Sequence, residues 1–373
     1  MERLILKPGS EIDSFCEKRQ SLESKFEYFY QDLGYRIAPP VAIYPSSDRT
    51  TMFVGSTISA LRNELGNETS LNRGVCIVQP CLRTQTKKYL YDDGQLSEYN
   101  SFFHQAGVLI SAGNYERVCE ESVLFLTREM NIDPGSLQIQ VPSQFPEVGE
   151  FWSKKYPHNT VVDAHSEQYY QWTYGEKGIT GLGVTFSVRS REISEFRDIG
   201  NVIAIYNDGK EIAIEWGFGI ETLLSRIHGL SKPQATSRIC DFVQFVPGMQ
   251  EKLLDTLVTS IEMIKSGVTP DRSGGAKQIL KTYLKAIHYL SRRAGIDYET
   301  IRELANKYLF DYRIGGDIPD KILLFLQERD DLFKLYQRDV PKVEGSSKAR
   351  GVDVEQELAK LRQRLGLEET ESL

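Results

Sequence analysis

Two apolar stretches joined by a polar loop occupy the chain between Val75 and Ser111. The first, Val75-Cys-Ile-Val-Gln-Pro-Cys-Leu-Arg83, is rich in β-branched residues and ends on a cation. The second is Ser101-Phe-Phe-His-Gln-Ala-Gly-Val-Leu-Ile-Ser111. The loop between them adds Lys87, Lys88 and an Asp92-Asp93-Gly94 turn signal. Together these residues predict a long antiparallel hairpin. A cation at the strand end with further cations in the loop suits a polyphosphate. The same residues also suit a hairpin with a solvated basic loop.

Elements can be placed on both sides of the hairpin. Ser10 to Leu33 predicts a helix with Phe15, Leu22, Phe26, Phe29 and Leu33 on one face and Gly34 as its stop. Tyr35 to Tyr44 predicts a strand interrupted by Pro39 and Pro40. Past the hairpin come a helix from Asn114 to Met130, a strand over Leu137 to Val141 and a helix near Glu147 to Lys155. Val202 to Ile205 and Glu211 to Glu215 flank Asn207-Asp-Gly209, a second hairpin signal. Strand, small residues and helix then follow in Glu215-Trp-Gly217-Phe-Gly219-Ile-Glu-Thr222, a suitable nucleotide seat. Beyond Lys232-Pro233 the pattern turns helical: Met249 to Lys265, a helix after Gly275, Glu299 to Phe310 and Pro319 to Gln337. Val340 to Gly351 has the composition of a linker, and Val354, Leu358, Leu361 and Leu365 mark a short amphipathic helix behind it.

The order of these motifs resembles the class II core of the alanyl-tRNA synthetases. Gln79-Pro-Cys-Leu-Arg83 and Ser101-Phe-Phe-His-Gln-Ala-Gly107 are similar to the family's Gln-Arg-Cys-Val-Arg strand and its Thr-Phe-Phe-Glu-Met-Leu-Gly return strand. The first helix with its Pro-Pro strand is similar to motif 1, a dimer-interface element in most of the class, and Asp48 to Phe53 continues that match. Trp172 with Gly175, Gly178 and Gly181 follows the register of a glycine-rich family stretch; alone, these glycines are a weak phosphate-loop signal and suit a plain turn-rich loop better. Phe196-Arg-Asp-Ile-Gly-Asn201 fits the family's Phe-Leu-Glu-Ile-Trp-Asn, and Glu215 to Thr222 resembles motif 3. The resemblance covers roughly Phe26 to Leu335.

The resemblance implies an α+β fold: a class II aminoacyl-tRNA synthetase-like antiparallel sheet with flanking helices, then a small helical domain. It divides the chain into a synthetase-like domain at 1–232, a helical domain at 233–339 akin to the tRNA-recognition region, and a linker with C-terminal helix at 340–373. The implied chemistry is ATP-dependent amino-acid activation with transfer to tRNA or another acceptor, with Mg2+ neutralising the triphosphate. Arg83 and Lys87 would contact the phosphates. Phe103, Gly217, Gly219 and Arg226 would complete the ATP site. Trp172, Gln105, Asn201, Glu215 and Gly217 would hold the amino acid. Lys277, Lys281, Lys285 and Arg292 share one helix face with no acid between Ala276 and Ala294, and would bind RNA.

Departures from the family are as informative. Thr222 replaces the motif 3 arginine that grips the terminal phosphate, and Arg226 lies one turn further, off in angle by roughly 40°. His104 and Gln105 replace glutamate and methionine, while Gly200 and Trp216 replace tryptophan and threonine, so a substrate other than alanine is expected. The second reading is a catalytically reduced paralogue that binds an amino acid, tRNA or a protein.

Composition bounds the setting. The chain has 373 residues, 40% of them hydrophobic and 26% charged, and a net charge of −7. No apolar run approaches the roughly 20 residues that span a bilayer, and the N-terminus lacks a secretory pattern, so no membrane partner is expected. Five cysteines without CxxC spacing, two of them on one predicted strand, fit a reduced cytoplasmic protein without structural zinc.

Overall fold

The computed structural model describes residues 15–45, 52–65, 68–92, 96–163, 165, 167–174, 177–236, 249–270, 274–311 and 314–367. Its strands are β1 (Arg36–Ile37), β2 (Val75–Leu82), β3 (Phe102–Ser111), β4 (Leu137–Pro142), β5 (Thr160–Asp163), β6 (Gln171–Thr173), β7 (Ile179–Val188), β8 (Arg197–Asn207) and β9 (Lys210–Gly219). The α-helices are α1 (Phe15–Asp32), α2 (Thr57–Ala60), α3 (Glu68–Leu71), α4 (Lys87–Tyr91), α5 (Tyr115–Leu124), α6 (Pro146–Lys155) and α7 (Ile220–Ile227). They continue with α8 (Met249–Lys265), α9 (Gly275–Ala294), α10 (Tyr298–Asp311), α11 (Ile318–Arg350) and α12 (Val354–Leu365).

The chain divides into two units. One comprises residues 12–83 and 97–241 and contains the sheet; the other comprises 1–11, 84–96 and 242–373 and is helical. The loop of the first hairpin therefore belongs to the helical unit, and its expected polar loop contains α4, capped by the Thr86 hydroxyl.

The sheet runs β1-β2-β3-β9-β8-β7-β4-β5, with β6 paired to β7. β2, β3, β9, β8 and β7 pair antiparallel, while β1 joins β2 and β5 joins β4 in parallel. The predicted second hairpin exists with longer arms, and Asp208 (φ 48°) with Gly209 (φ 83°) forms its turn. Both central turn residues are left-handed, which matches the right-handed twist of the strands.

The strand expected over Tyr35 to Tyr44 is only the two residues of β1. Pro39 and Pro40 have no N–H to donate, so the ladder ends there. The Gln79 side chain takes over: its amide accepts from Val41 N and donates to Val41 O, both at 2.9 Å. The expected start of the first helix, Ser10 to Ser14, lies outside the described residues. Within α1, Leu22, Phe26, Phe29 and Tyr30 are buried, whereas Leu33 is 37% exposed and not part of that face.

Strand alternation sorts the sheet into two faces. One face packs under α1, α5 and α7: Phe26, Tyr30, Phe125, Trp216 and Phe218 form a cluster of aromatic rings with centroids 4.8–6.4 Å apart. The expectation that Trp216 alters a substrate pocket is therefore corrected. Trp216 is fully buried in this cluster, on the face opposite Glu215 and Gly217.

In the helical unit, α8 is buried along almost its whole length. Lys252, on α8, donates to the carbonyls of Tyr89 and Asp92. The expected linker over Val340 to Gly351 is corrected as well: α11 runs through Pro341 and ends at Gly351 in a left-handed cap. A proline inside a helix costs about 3 kcal/mol. Here Val340 and Val343 pack with Tyr336, Leu361, Leu365 and Leu367, and that burial offsets the cost.

Candidate active site

The other face of the sheet carries a cavity of about 1080 Å³. Its floor follows one register line across three strand pairs: Gly217, Asn201, Thr185 and Gln140 stand side by side on β9, β8, β7 and β4. A glycine makes the floor low at one end, and three polar side chains continue it. A Cβ on Gly217 would stand 2.9 Å from Gln105 Nε2, so this position keeps the space above β9 open. Gly200 is glycine for a different reason: a Cβ there would meet the Gly217 carbonyl at 2.3 Å.

Arg83 follows the last residue of β2, at the cavity wall. Its Nε donates to the Gly55 carbonyl at 2.7 Å, and its guanidinium lies 5.2 Å from the centre of the Phe103 ring. These contacts aim an exposed cation without consuming the rest of its donor fork.

Glu215 is the principal buried acid of the site. Thr57, at the start of α2, donates from Oγ1 to Glu215 Oε1 at 2.8 Å, and Thr57 N donates to Gln105 Oε1 at 3.1 Å. Burial pushes the Glu215 carboxyl up to about 7, against the opposing pull of the Thr57 hydrogen bond and of Arg83. A carboxyl poised there gains its charge readily when a cationic partner arrives.

Trp172 on β6 pairs with Gly181, and Tyr174 follows it on the same wall. The buried Tyr174 hydroxyl has no hydrogen-bond partner, and burial together with the charge of Glu215 raises its pKa. Asn201 donates to Thr185 Oγ1 at 2.9 Å. Gly175 lies outside the described residues, as do Asp48 to Thr51.

Gly219, the last residue of β9, is the N-cap of α7. His104 does not face the cavity floor: its backbone N–H and Nδ1 both meet the Glu221 carboxylate on α7, at 2.9 and 2.8 Å. Burial opposes ionisation of Glu221, and the facing His104 outweighs it and lowers the pKa. Arg226 does reach the cavity despite its angle on the helix. Its Nη2 donates to Glu98 Oε2 at 2.9 Å, and the same oxygen receives Arg197 Nη2 at 3.0 Å. Lys232 pairs with the other oxygen. Partial burial would raise Glu98, yet the hydrogen bonds from Lys232 and Arg197 hold it down to about 2.

At the far end of the floor, Asp198 accepts from Ser187 at 2.8 Å and from Tyr169, while Gln140 donates to Ser187 at 2.8 Å. Sequence reading missed Thr57, Glu98, Arg197, Lys232 and this Asp198 group. Glu98 has no local signal, because its three partners lie 99, 128 and 134 positions away.

Two predicted sets lie in the helical unit. Lys87 occupies the first turn of α4. Lys277, Lys281 and Lys285 lie half-buried on α9, with Lys285 donating to Gly366 O at 3.5 Å; Arg292 is exposed and stacks 4.1 Å over the Phe333 ring. The predicted basic face is thus partly engaged in packing α9 against α11 and the residues after α12.

The cysteines Cys16, Cys76, Cys81 and Cys119 are buried and free, and burial pushes the Cys81 thiol up to about 12. Cys240 lies outside the described residues. Among the described residues, no helix is long and apolar enough to cross a membrane.

A largely antiparallel sheet whose two hairpins surround one cavity, with a glycine-bearing strand feeding a helix, is an α+β architecture. In sequence the similarity is to alanine–tRNA ligases. The chain is 24% identical over 170 residues to the alanine–tRNA ligase of Vesicomyosocius okutanii subsp. Calyptogena okutanii, covering 44% of this chain and 19% of that protein. It is 23% identical over 163 residues to that of Endomicrobium trichonymphae (43% and 18%), and 27% identical over 140 residues to that of Thermus thermophilus (35% and 15%). The matched stretch spans less than a fifth of the length of these relatives. Among solved structures, apo histidyl-tRNA synthetase of S. aureus has a TM-score of 0.36 at 12% identity, covering 61% of this chain and 75% of that one. A pyrrolysyl tRNA synthetase of Desulfitobacterium hafniense has a TM-score of 0.37 at 12% identity, covering 58% and 72%. No family model matches. Over the matched stretch the chain is similar to alanine–tRNA ligases.

Proposed function

We propose that this chain activates an amino acid with ATP and passes the aminoacyl group to tRNA or another acceptor. The observation that carries this reading is the meeting of Arg83, Gln105, Trp172, Asn201 and Glu215 around one cavity. They come from segments spread over more than a hundred residues of sequence. In the reaction an amino-acid carboxylate oxygen bonds to the α-phosphorus of ATP, and the bond from that phosphorus to the pyrophosphate oxygen breaks. Such a step needs positioning and charge compensation and no nucleophilic side chain.

In this reading, Glu215 binds the substrate ammonium and Arg83 neutralises charge on the α-phosphate. Gly217 leaves room for the substrate backbone, with Trp172, Gln105 and Asn201 enclosing it. Phe103, Gly219 and Arg226 seat the nucleotide, and Lys87 is the further phosphate contact. Mg2+ would neutralise charge on the triphosphate. Lys277, Lys281, Lys285 and Arg292 provide the RNA contact if tRNA is the acceptor. A cytoplasmic location and a homodimer through the motif 1 region complete the proposal.

Thr222 favours a second reading, a binding paralogue with reduced chemistry, because it offers no charge to a terminal phosphate. Amino-acid-dependent ATP–pyrophosphate exchange, screened over the common amino acids, separates the two. Exchange with one or a few amino acids is the expected result. Specific binding of an amino acid without any exchange would establish the second reading.

A further inference from the structure

The cavity contains an electrostatic arrangement that the amino-acid and α-phosphate contacts do not use. Glu98 stands just before β3, and Arg197, Arg226 and Lys232 converge on its single carboxylate. Three cations against one carboxylate leave an excess of positive charge at this spot, which the charge of nearby Asp198 offsets in part. The Arg226 side chain is 3% exposed, whereas that of Glu98 is 58% exposed. The cationic part of the cluster is thus built into the wall, and the acidic part approaches it from solvent. Arg226 Nε is buried and has no hydrogen-bond partner, so the guanidinium offers a donor that Glu98 does not satisfy. The nearby Asp198 does not serve it, being occupied by Tyr169 and Ser187. Arg197 is held from behind by the carbonyls of Leu230 and Ser231, the first at 3.0 Å, so it stays in place if Glu98 leaves.

We propose that Arg197, Arg226 and Lys232 form a diphosphate-binding subsite that the Glu98 carboxylate closes in the free protein. Pyrophosphate oxygens displace the carboxylate, take over the donors it held and satisfy Arg226 Nε. A carboxylate presents two oxygens and one charge, whereas a diphosphate presents more of both and meets planar guanidinium forks in the same bidentate manner. The choice of a diphosphate as the ligand rests on the reading of the cavity as a site for ATP activation. It also accounts for Thr222: the charge absent from that position is supplied by this cluster.

The test is calorimetric titration of the full chain with inorganic pyrophosphate, without ATP or amino acid. Glu98→Gln should bind pyrophosphate about tenfold more tightly than the unmodified protein, since a charged competitor is gone. Arg197→Gln or Lys232→Gln in that background should return the affinity to the starting value or below. Both are partly exposed, so neither depends on tolerating loss of the buried Arg226. Unchanged or weakened binding in Glu98→Gln would overturn the proposal, as would affinity indifferent to Arg197 and Lys232. The exchange assay separates this outcome from the fate of the activation reading. A chain without exchange whose pyrophosphate affinity rises in Glu98→Gln keeps the subsite and loses the activation chemistry. An active chain whose affinity ignores Glu98 loses only the subsite.

Discussion

The hydroxyl of Thr57 donates to the buried carboxylate of Glu215 at 2.8 Å across 158 positions of sequence. The same threonine offers its backbone N–H to Gln105. One residue at the start of a four-residue helix therefore orients a proposed ammonium ligand and a proposed wall of the pocket together. A Cβ on Gly107 would come within 2.7 Å of Thr57 Oγ1, so the strand below is cut back to admit it. Acid, amide and hydroxyl form one braced unit, and the braced unit sets what the cavity can bind.

Glu215 should give the protein a measurable pH dependence of stability. Its folded value of about 7 lies above the ordinary 4.5, so between those values the folded chain holds a proton that the unfolded chain has lost. This group favours folding at acid pH, and that contribution disappears as pH rises through 7. Glu215→Gln removes the dependence. Its stability relative to the parent should increase between pH 5 and pH 8 by on the order of 2 kcal/mol, read from denaturant midpoints. A difference that stays flat across that range would mean the carboxyl ionises at its ordinary pKa.

Arg83→Ala should abolish exchange and leave the fold intact. The side chain is exposed, and its structural contacts are one carbonyl and the Phe103 ring it lies over in the cavity wall. Losing a charge-assisted contact to the reacting phosphate costs on the order of 3 kcal/mol in the transition state. Near-normal exchange by a folded variant would refute its assignment.

Gly217→Ala tests the open floor. The new methyl would stand 2.9 Å from Gln105 Nε2, the far end of a flexible side chain, so the fold accommodates it with a loss of about 1 kcal/mol or less. It would also project into the space assigned to the substrate backbone. Exchange should fall by at least about tenfold, mostly through a higher KM for the amino acid. Unaltered kinetics would place the substrate elsewhere in the cavity.

The basic helix α9 should respond unevenly to charge reversal. Lys277→Glu with Lys281→Glu should weaken tRNA binding and flatten its salt dependence by nearly one log unit per lost phosphate contact. Exchange should stay unchanged. Arg292→Glu should instead lower the melting temperature, because Arg292 is stacked on Phe333. Filter binding at two salt concentrations reads the first effect. Binding without salt sensitivity in the parent would remove RNA as the ligand of this face.

The sequence by itself determined the elements that depend on local chemistry. β-branched runs and the Asn207-Asp-Gly209 turn placed the two hairpins, the apolar period with its Gly34 stop placed α1, and the helical pattern beyond Pro233 placed α8 and α9. The motif order was enough to name Arg83, Gln105, Trp172, Asn201 and Glu215 before any of them met in space. What escaped sequence reading was set by contacts between distant residues. Pro341 looks like a break, and only burial against α12 keeps that helix whole. Trp216 sits between two cavity residues in sequence, yet the two-residue period of a strand sends it into the aromatic core. Tertiary structure alone brought Thr57 to Glu215 and gathered Arg197, Arg226 and Lys232 around Glu98. Their partnership depends on how strands far apart in the chain come into register, and no local pattern of residues carries that information.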